Sequence, residues 1–257
     1  MLHLAAYIMA PFMGHVLAVP VPQTTPTPGH NTTTLPSGAE AVTNSGNEQL
    51  ISSLKNAATA VDRIKLLPNP SDHVYDFLNP PTNDTTTTGL GGHTVKADRK
   101  SFPALIGNSV SMTVGFLGPC GFNTPHTHPR SAEINIVVEG ELGTEFISEN
   151  GGTLIKNRLS TYQMTVFPQG AIHTEWNPDC TPATFVAGFA TEDPGVQQSA
   201  QRLFDMDDDL LEAAFKNDFT FAGEDIDQFR SLIPANVALG KQPPSSQSTT
   251  LILPANV

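Results

Sequence analysis

A chain of 257 residues is long enough for one large domain or two small ones with a real core. Only 15% of its residues are charged, and 25 Asp and Glu against 13 Lys and Arg leave a net charge of −12. A surface that acidic repels phosphate backbones, so no nucleic acid is expected as a partner, and no run of Lys or Arg argues otherwise.

Residues 1–18 (MLHLAAYIMAPFMGHVLA) read as a secretory signal peptide, with Val16 and Ala18 small enough for cleavage before Val19. A membrane anchor is the alternative. Pro11, Gly14 and His15 interrupt the apolar run, and a spanning helix needs about 20 apolar residues. The reading is therefore a secreted, extracellular protein with no membrane partner. Asn31 and Asn83 each open an Asn-X-Thr glycosylation triplet, which suits an exported chain.

Residues 19–45 lack hydrophobic periodicity and read as a disordered Thr/Pro-rich leader. Ser45 and Glu48 have the spacing of a capping box. Behind them Leu50, Ile51, Leu54, Ala57, Ala58, Val61 and Ile64 recur at three and four, predicting one helix that ends near Leu66, before Pro68. The folded domain is expected over 46–240. Between His73 and Asn108 the chain reads as loop.

From Ser109 the period changes. Ser111–Phe116, Thr124–His128, Glu133–Glu139, Gly143–Ser148, Gln163–Phe167, His173–Trp176 and Thr184–Ala190 are short runs rich in Val, Ile, Phe and Thr, separated by turn residues. Many short strands at this spacing predict an all-β antiparallel sandwich or barrel. After Pro194 the pattern turns helical, with Val196–Phe204, Asp208–Lys216 and Glu224–Leu232 as C-terminal helices within 196–232; Asp207 and Gly223 are the expected starts of the last two. Nine acidic residues between Asp205 and Asp227 read as a solvated face. Residues 241–257 form a low-complexity tail whose last four, Pro254 to Val257, repeat Pro234–Val237.

The chemistry concentrates in two stretches, GFNTPHTHPRSAEINIVVEG at 121–140 and FPQGAIHTEWN at 167–177. Alternate side chains of a strand share a face, so His126 and His128 point the same way. Pro129-Arg130 then breaks the strand, and a hairpin is expected to return Glu133 beside the two imidazoles. His173 follows the tight turn Pro168-Gln169-Gly170. Three imidazoles and one carboxylate suit a single divalent metal, and these donors admit Mn, Fe, Ni, Co or Zn.

These two stretches resemble the two sequence motifs of the cupins, and in particular the germin and spherulin-like branch. The likeness covers roughly Asp72–Leu239. It implies a jelly-roll β-barrel, with its core over about 72–195 flanked by an N-terminal helix and C-terminal helices, and His126, His128, Glu133 and His173 on one metal, usually manganese. Two motif glycines are replaced, by Cys120 and by Tyr162. In germins with oxalate oxidase activity, an Asn matching Asn123 orients the substrate. A second substrate-binding Asn aligns with Thr113, whose hydroxyl cannot offer the amide's donor and acceptor together, which counts against oxalate. Antiparallel neighbouring strands, as the resemblance implies, would also bring Cys120 and Cys180 together as a disulfide.

Two functions follow from the resemblance. One is a manganese-dependent oxidoreductase acting on oxalate, another small carboxylate or superoxide. The other is a non-enzymatic extracellular structural or stress protein of the encystment type. Germins assemble as trimers and hexamers, so a homo-oligomer is expected.

Overall fold

The structure, a computed structural model, describes residues 40–41, 43–215 and 226–240. The signal peptide read at 1–18, most of the leader with Asn31, and the tail 241–257 lie outside the described residues.

The stripe between Leu50 and Ile64 folds as two helices rather than one. Helix α1 spans Glu48–Asn56 and is capped by Asn47, whose side chain accepts from the Leu50 amide, not by Ser45. Ala57 then turns extended, and Thr59 starts α2, Ala60–Lys65, by accepting from the Asp62 amide at 3.1 Å. Ser and Thr compete with a continuing helix through such caps. Only the first half of the stripe is used: Leu54 is buried with Leu67 and Ile106, with Leu50 and Ile51 packed against them. Val61 and Ile64 stay exposed.

Twelve strands are found among the described residues, all paired antiparallel. One sheet holds β1 (Thr86–Gly89), β2 (Gly92–Ala97), β3 (Ser111–Leu117), β10 (Ala183–Phe189), β5 (Glu133–Glu139) and β8 (Met164–Phe167), in that order. The other runs β11 (Gln197–Gln198), β4 (Gly121–Thr127), β9 (Ile172–Trp176), β6 (Glu141–Ile147) and β7 (Ile155–Ser160), with β12 (Ala238–Leu239) also on β4. Alternation on β5 and β10 sends Val137, Phe185, Ala187 and Phe189 inward to meet Leu117, Leu142, Leu159 and Val237 in one core.

Several strands depart from the sequence reading. The β1–β2 hairpin lies in the segment read as loop; its first strand is threonine and glycine, and only Val95 and Ala97 are buried in its second. Strand β7, IKNRLS, buries only Leu159, so it carries no apolar alternation. Gln197–Gln198, placed in a helix, instead pairs with Thr127 and His126 of β4. Helix α3 follows at Ser199–Leu203, and α4, Asp208–Ala214, starts at Asp207 as expected, with its carboxylate accepting from the Asp209 amide. The last helix, α5, spans Ile226–Leu232; Gly223 lies outside the described residues.

Both replaced glycines sit where the backbone needs a left-handed residue. Cys120 has φ 58° and Tyr162 φ 65°. The turns keep their shape, and the side chains carry the steric cost that glycine would avoid.

Candidate metal centre

The strand pairing sets the site. Strands β4 and β9 lie side by side with His126 directly opposite His173. His128 follows one residue past β4 and is buried with them. Glu133 does not arrive by a hairpin. It opens β5 in the opposite sheet, paired with Phe167 and Phe189, so the carboxylate meets the imidazoles across the sandwich. The chain between His128 and Glu133 crosses from one sheet to the other because Pro129-Arg130 ends the ladder.

Asn123 lies three residues before His126, a spacing that in a regular strand puts the two on opposite faces. The register shifts between them, around Pro125, and both end up buried. That bulge turns the Asn123 amide into the site.

His126, His128, Glu133 and His173 are all buried, and one ligand atom from each lies within 4.8 Å of the others. Glu133 Oε2 is 3.1 Å from His128 Nε2 and 3.2 Å from His173 Nε2. Each imidazole has its other nitrogen committed. His126 Nδ1 faces the Thr124 carbonyl at 2.9 Å, His173 Nδ1 the Ala171 carbonyl at 2.8 Å, and His128 Nδ1 the Gly195 carbonyl. A carbonyl only accepts, so each Nδ1 carries the proton and each Nε2 presents its lone pair. Three convergent lone pairs and a carboxylate oxygen repel one another unless a cation or protons lie between them. The donor set fits a divalent metal.

Gly195 is held for this purpose. Its left-handed turn, φ 67°, packs on the Arg130 guanidinium, which bonds the Asp193 carboxylate at 2.7 Å and the Asp193 carbonyl at 2.8 Å. The Asp193-Pro194-Gly195 run thus orients His128.

Electrostatics follow from burial and crowding. Burial, with the neighbouring His173 and His128, drives the His126 pKa down to about 3. Burial opposes ionisation of Glu133 too, but in the metal-free site, where protons on the facing Nε2 atoms of His128 and His173 take the place of a cation, hydrogen bonds from these rings outweigh it and hold the carboxyl well below its usual range. For His173, burial is outweighed by the bond to Glu133 and by the charges of Glu175 and Glu133, so its pKa rises.

Three residues that the sequence reading passed over complete the surroundings. Glu175 is fully buried, its pKa pushed up to about 8 by burial and by the Glu133 charge. Asn135 donates to Glu133 Oε1 at 3.1 Å and to Glu175 Oε1 at 3.3 Å, and Asn123 donates to Glu175 Oε2 at 2.9 Å. Strand alternation alone could have found two of them, since Asn135 lies two residues from Glu133 and Glu175 two from His173. The third, Asn236, donates to Asn123 Oδ1 at 2.7 Å from far along the chain, where no local pattern announces it. A cavity of about 140 Å³ opens beside the cluster, lined among others by Thr113, Asn123, Gln198 and Asn236.

Cys120 is buried and Cys180 exposed, and both are free thiols. The antiparallel β4–β9 pairing on which the expected Cys120–Cys180 disulfide rests is present, but the structure holds the two cysteines unbonded.

Comparison with known proteins agrees with this geometry. A family model described as Cupin matches residues 77–227. Spherulin-1A of Physarum polycephalum is 43% identical over 194 residues, covering 76% of this chain and 76% of the relative. A germin-like protein of Mesembryanthemum crystallinum is 34% identical over 142 residues, covering 53% and 59% respectively. An oxalate oxidase solved with the substrate analogue glycolate superposes with a TM-score of 0.52 at 26% identity, covering 64% of this chain and 84% of that one. A family match over 77–227, which contains all four clustered residues, together with a relative 43% identical over 76% of both chains, makes the chain a member of the cupin family, in its germin- and spherulin-like branch.

Proposed function

We propose that this chain is a secreted, glycosylated metal protein that holds manganese on His126, His128, Glu133 and His173 and acts as an oxidoreductase on oxalate, another small carboxylate or superoxide. The observation that carries the reading is the commitment of all three Nδ1 atoms to backbone carbonyls, which leaves three buried Nε2 lone pairs and Glu133 converging. The metal, when bound, supplies charge stabilisation and redox capacity. The chain supplies the rest. Three neutral imidazoles and one carboxylate leave a divalent site with a net charge near +1, which favours an anion. Asn123 lines the cavity beside the ligands, placed to orient that anion. Phe167 stacks on His173 at 4.3 Å and Phe189 packs on His128 at 4.6 Å, keeping water from the ligand rings. Asn83, exposed at the start of a short helical turn, is open to a glycan.

A second reading, a non-enzymatic structural or stress protein, is favoured by the higher identity to Spherulin-1A than to the oxalate oxidase. One experiment separates the two. The purified, metal-analysed protein is assayed for hydrogen peroxide from oxalate and dioxygen, and for superoxide dismutation. Activity in either assay is expected; silence in both with stoichiometric metal favours the structural role.

Assembly into trimers or hexamers is part of the proposal. Outward residues of the first sheet form an apolar face: Met112, Gly188, Ile134 and Val166 are cross-strand neighbours in one row, and Ile136 and Met164 adjoin in the next. Ile134 is 53% and Met164 62% exposed. Helices α3 to α5 leave Leu203, Leu210 and Leu232 exposed as well. A second copy covers such a surface. Light scattering is expected to give a multiple of the chain mass, and a monomer would contradict it.

A further inference from the structure

After α5 the chain returns to the metal site, and residues 234–240 are fixed there along their length. Gln201 Nε2 bonds the Pro234 carbonyl at 2.8 Å. Val237 is fully buried in the core with Leu117 and Phe185, and its carbonyl accepts from Gly91 at 3.2 Å. Ala238 and Leu239 pair with Phe122 and Gly121, and the Gly240 amide bonds the Cys120 carbonyl at 2.8 Å. The approach is so close that a Cβ on Gly91 would lie 1.8 Å from the Ala238 oxygen. Asn236 is therefore held from both sides against β4, where it lines the cavity.

Its amide orientation is determined. Asn236 Oδ1 accepts from the Thr124 backbone N–H at 2.8 Å, and a backbone nitrogen can only donate. The NH₂ group must then face Asn123, whose Oδ1 accepts it at 2.7 Å. That turns the Asn123 nitrogen toward Glu175, where it donates at 2.9 Å. One N–H of each amide nitrogen is used in this chain of bonds, and the second N–H of each has no partner among the described residues. A mere cap for the Thr124 amide needs only an acceptor. Here the other half of the side chain is turned to a residue whose one further side-chain hydrogen bond goes to Glu175, which Asn135 links to Glu133.

We propose that Asn236 is a positioning residue of the metal cavity: it locks Asn123 with its N–H edge available to an anionic ligand, so that the C-terminal segment sets the cavity's preference for small carboxylates. The inference deepens the carboxylate reading above and rests on it for the identity of the ligand.

The test uses the full-length, manganese-loaded protein titrated calorimetrically with oxalate and with glycolate. Asn236→Ala is expected to keep its metal and to bind either anion about tenfold more weakly, the scale of one lost hydrogen bond at a buried site. Asn123→Ala/Asn236→Ala is expected to bind no more weakly than Asn123→Ala alone, because Asn236 acts through Asn123. Asn256→Ala, the same change in the second Pro-Ala-Asn-Val, is the matched control and is expected to bind as wild type. Unchanged binding by Asn236→Ala overturns the proposal. So does a double variant whose loss is the product of the two single losses, or an equal loss in Asn256→Ala. If Asn236→Ala does not fold, Asn236→Ser, neutral and with a hydroxyl able to accept from Thr124, carries the same readout. If the wild type binds neither anion, the carboxylate reading fails by itself. The positioning claim is then read from side-chain amide exchange by NMR: slow exchange of the Asn123 NH₂ in wild type, lost in Asn236→Ala, supports it, and equal exchange in both overturns it.

Discussion

Replacing His126 and His173 together by alanine is expected to abolish metal binding while leaving the two-sheet fold intact by circular dichroism. The two imidazoles stand opposite each other on β4 and β9 and supply two of the four donors. Removing a partner that only supports a ligand typically costs 10–100-fold in metal affinity. Removing a ligand itself should cost more than about 100-fold, and removing two should leave no metal after dialysis against a weak chelator. Glu133→Gln is the informative companion. It keeps the size of the side chain and a hydrogen-bonding oxygen but removes the one anionic ligand, so metal retention should fall nearly as far. A double-histidine variant that kept its full metal content would remove the site from the account.

The second large effect is on the pH dependence of the metal-free protein. His126 and Glu133 have folded pKa values below their unfolded ones, so the stability they contribute is present at higher pH and lost as pH falls. For His126 the loss runs from about pH 6.5 down to about 3, on the order of 5 kcal/mol at about 1.4 kcal/mol per pKa unit. For Glu133 it begins below about 4.5. His173 and Glu175 are raised, so their contributions are complete at low pH and lost as pH rises, for His173 above about 6.5 and for Glu175 between about 4.5 and about 8. Between 4.5 and 6.5 the His126 and Glu175 effects oppose each other. The metal-free protein should therefore show a stability plateau in that window, with Tm falling on both sides. Metal binding requires unprotonated Nε2 atoms and favours ionised carboxylates, so loading should remove most of the alkaline fall. Melts from pH 3 to 9 with and without EDTA check this. Superimposable loaded and metal-free profiles would contradict it.

How much of this was legible in the sequence depends on the range of the signal. The ligands were readable because each sits in a short pattern: His126 and His128 at strand spacing, Glu133 at a strand start, His173 after a glycine turn. The strands that bury one face were readable for the same reason, since alternation is local. What was not readable depends on where strands go. Glu133 looked like a hairpin partner of His126, because sequence spacing cannot tell a return within one sheet from a crossing to the other. The β1–β2 hairpin and β7 were missed because their residues are mostly Thr, Gly, Lys and Asn, so pairing rather than apolar burial holds them. Gln197–Gln198 read as helix because its apolar neighbours suit either period. Asn236 could not be found at all, because its partners Asn123 and Thr124 are more than 100 residues away. The Asn123 bulge belongs between these cases. Pro125 marks it, but only the β4–β9 register shows that it turns the amide inward.

The central claim is that one divalent ion sits among three imidazoles and a carboxylate, and X-ray absorption at the metal edge of the purified, loaded protein tests it most directly. The account predicts a shell with three histidine nitrogens and the multiple-scattering signature of imidazole rings, the remainder being oxygen. An all-oxygen shell without imidazole scattering would contradict it.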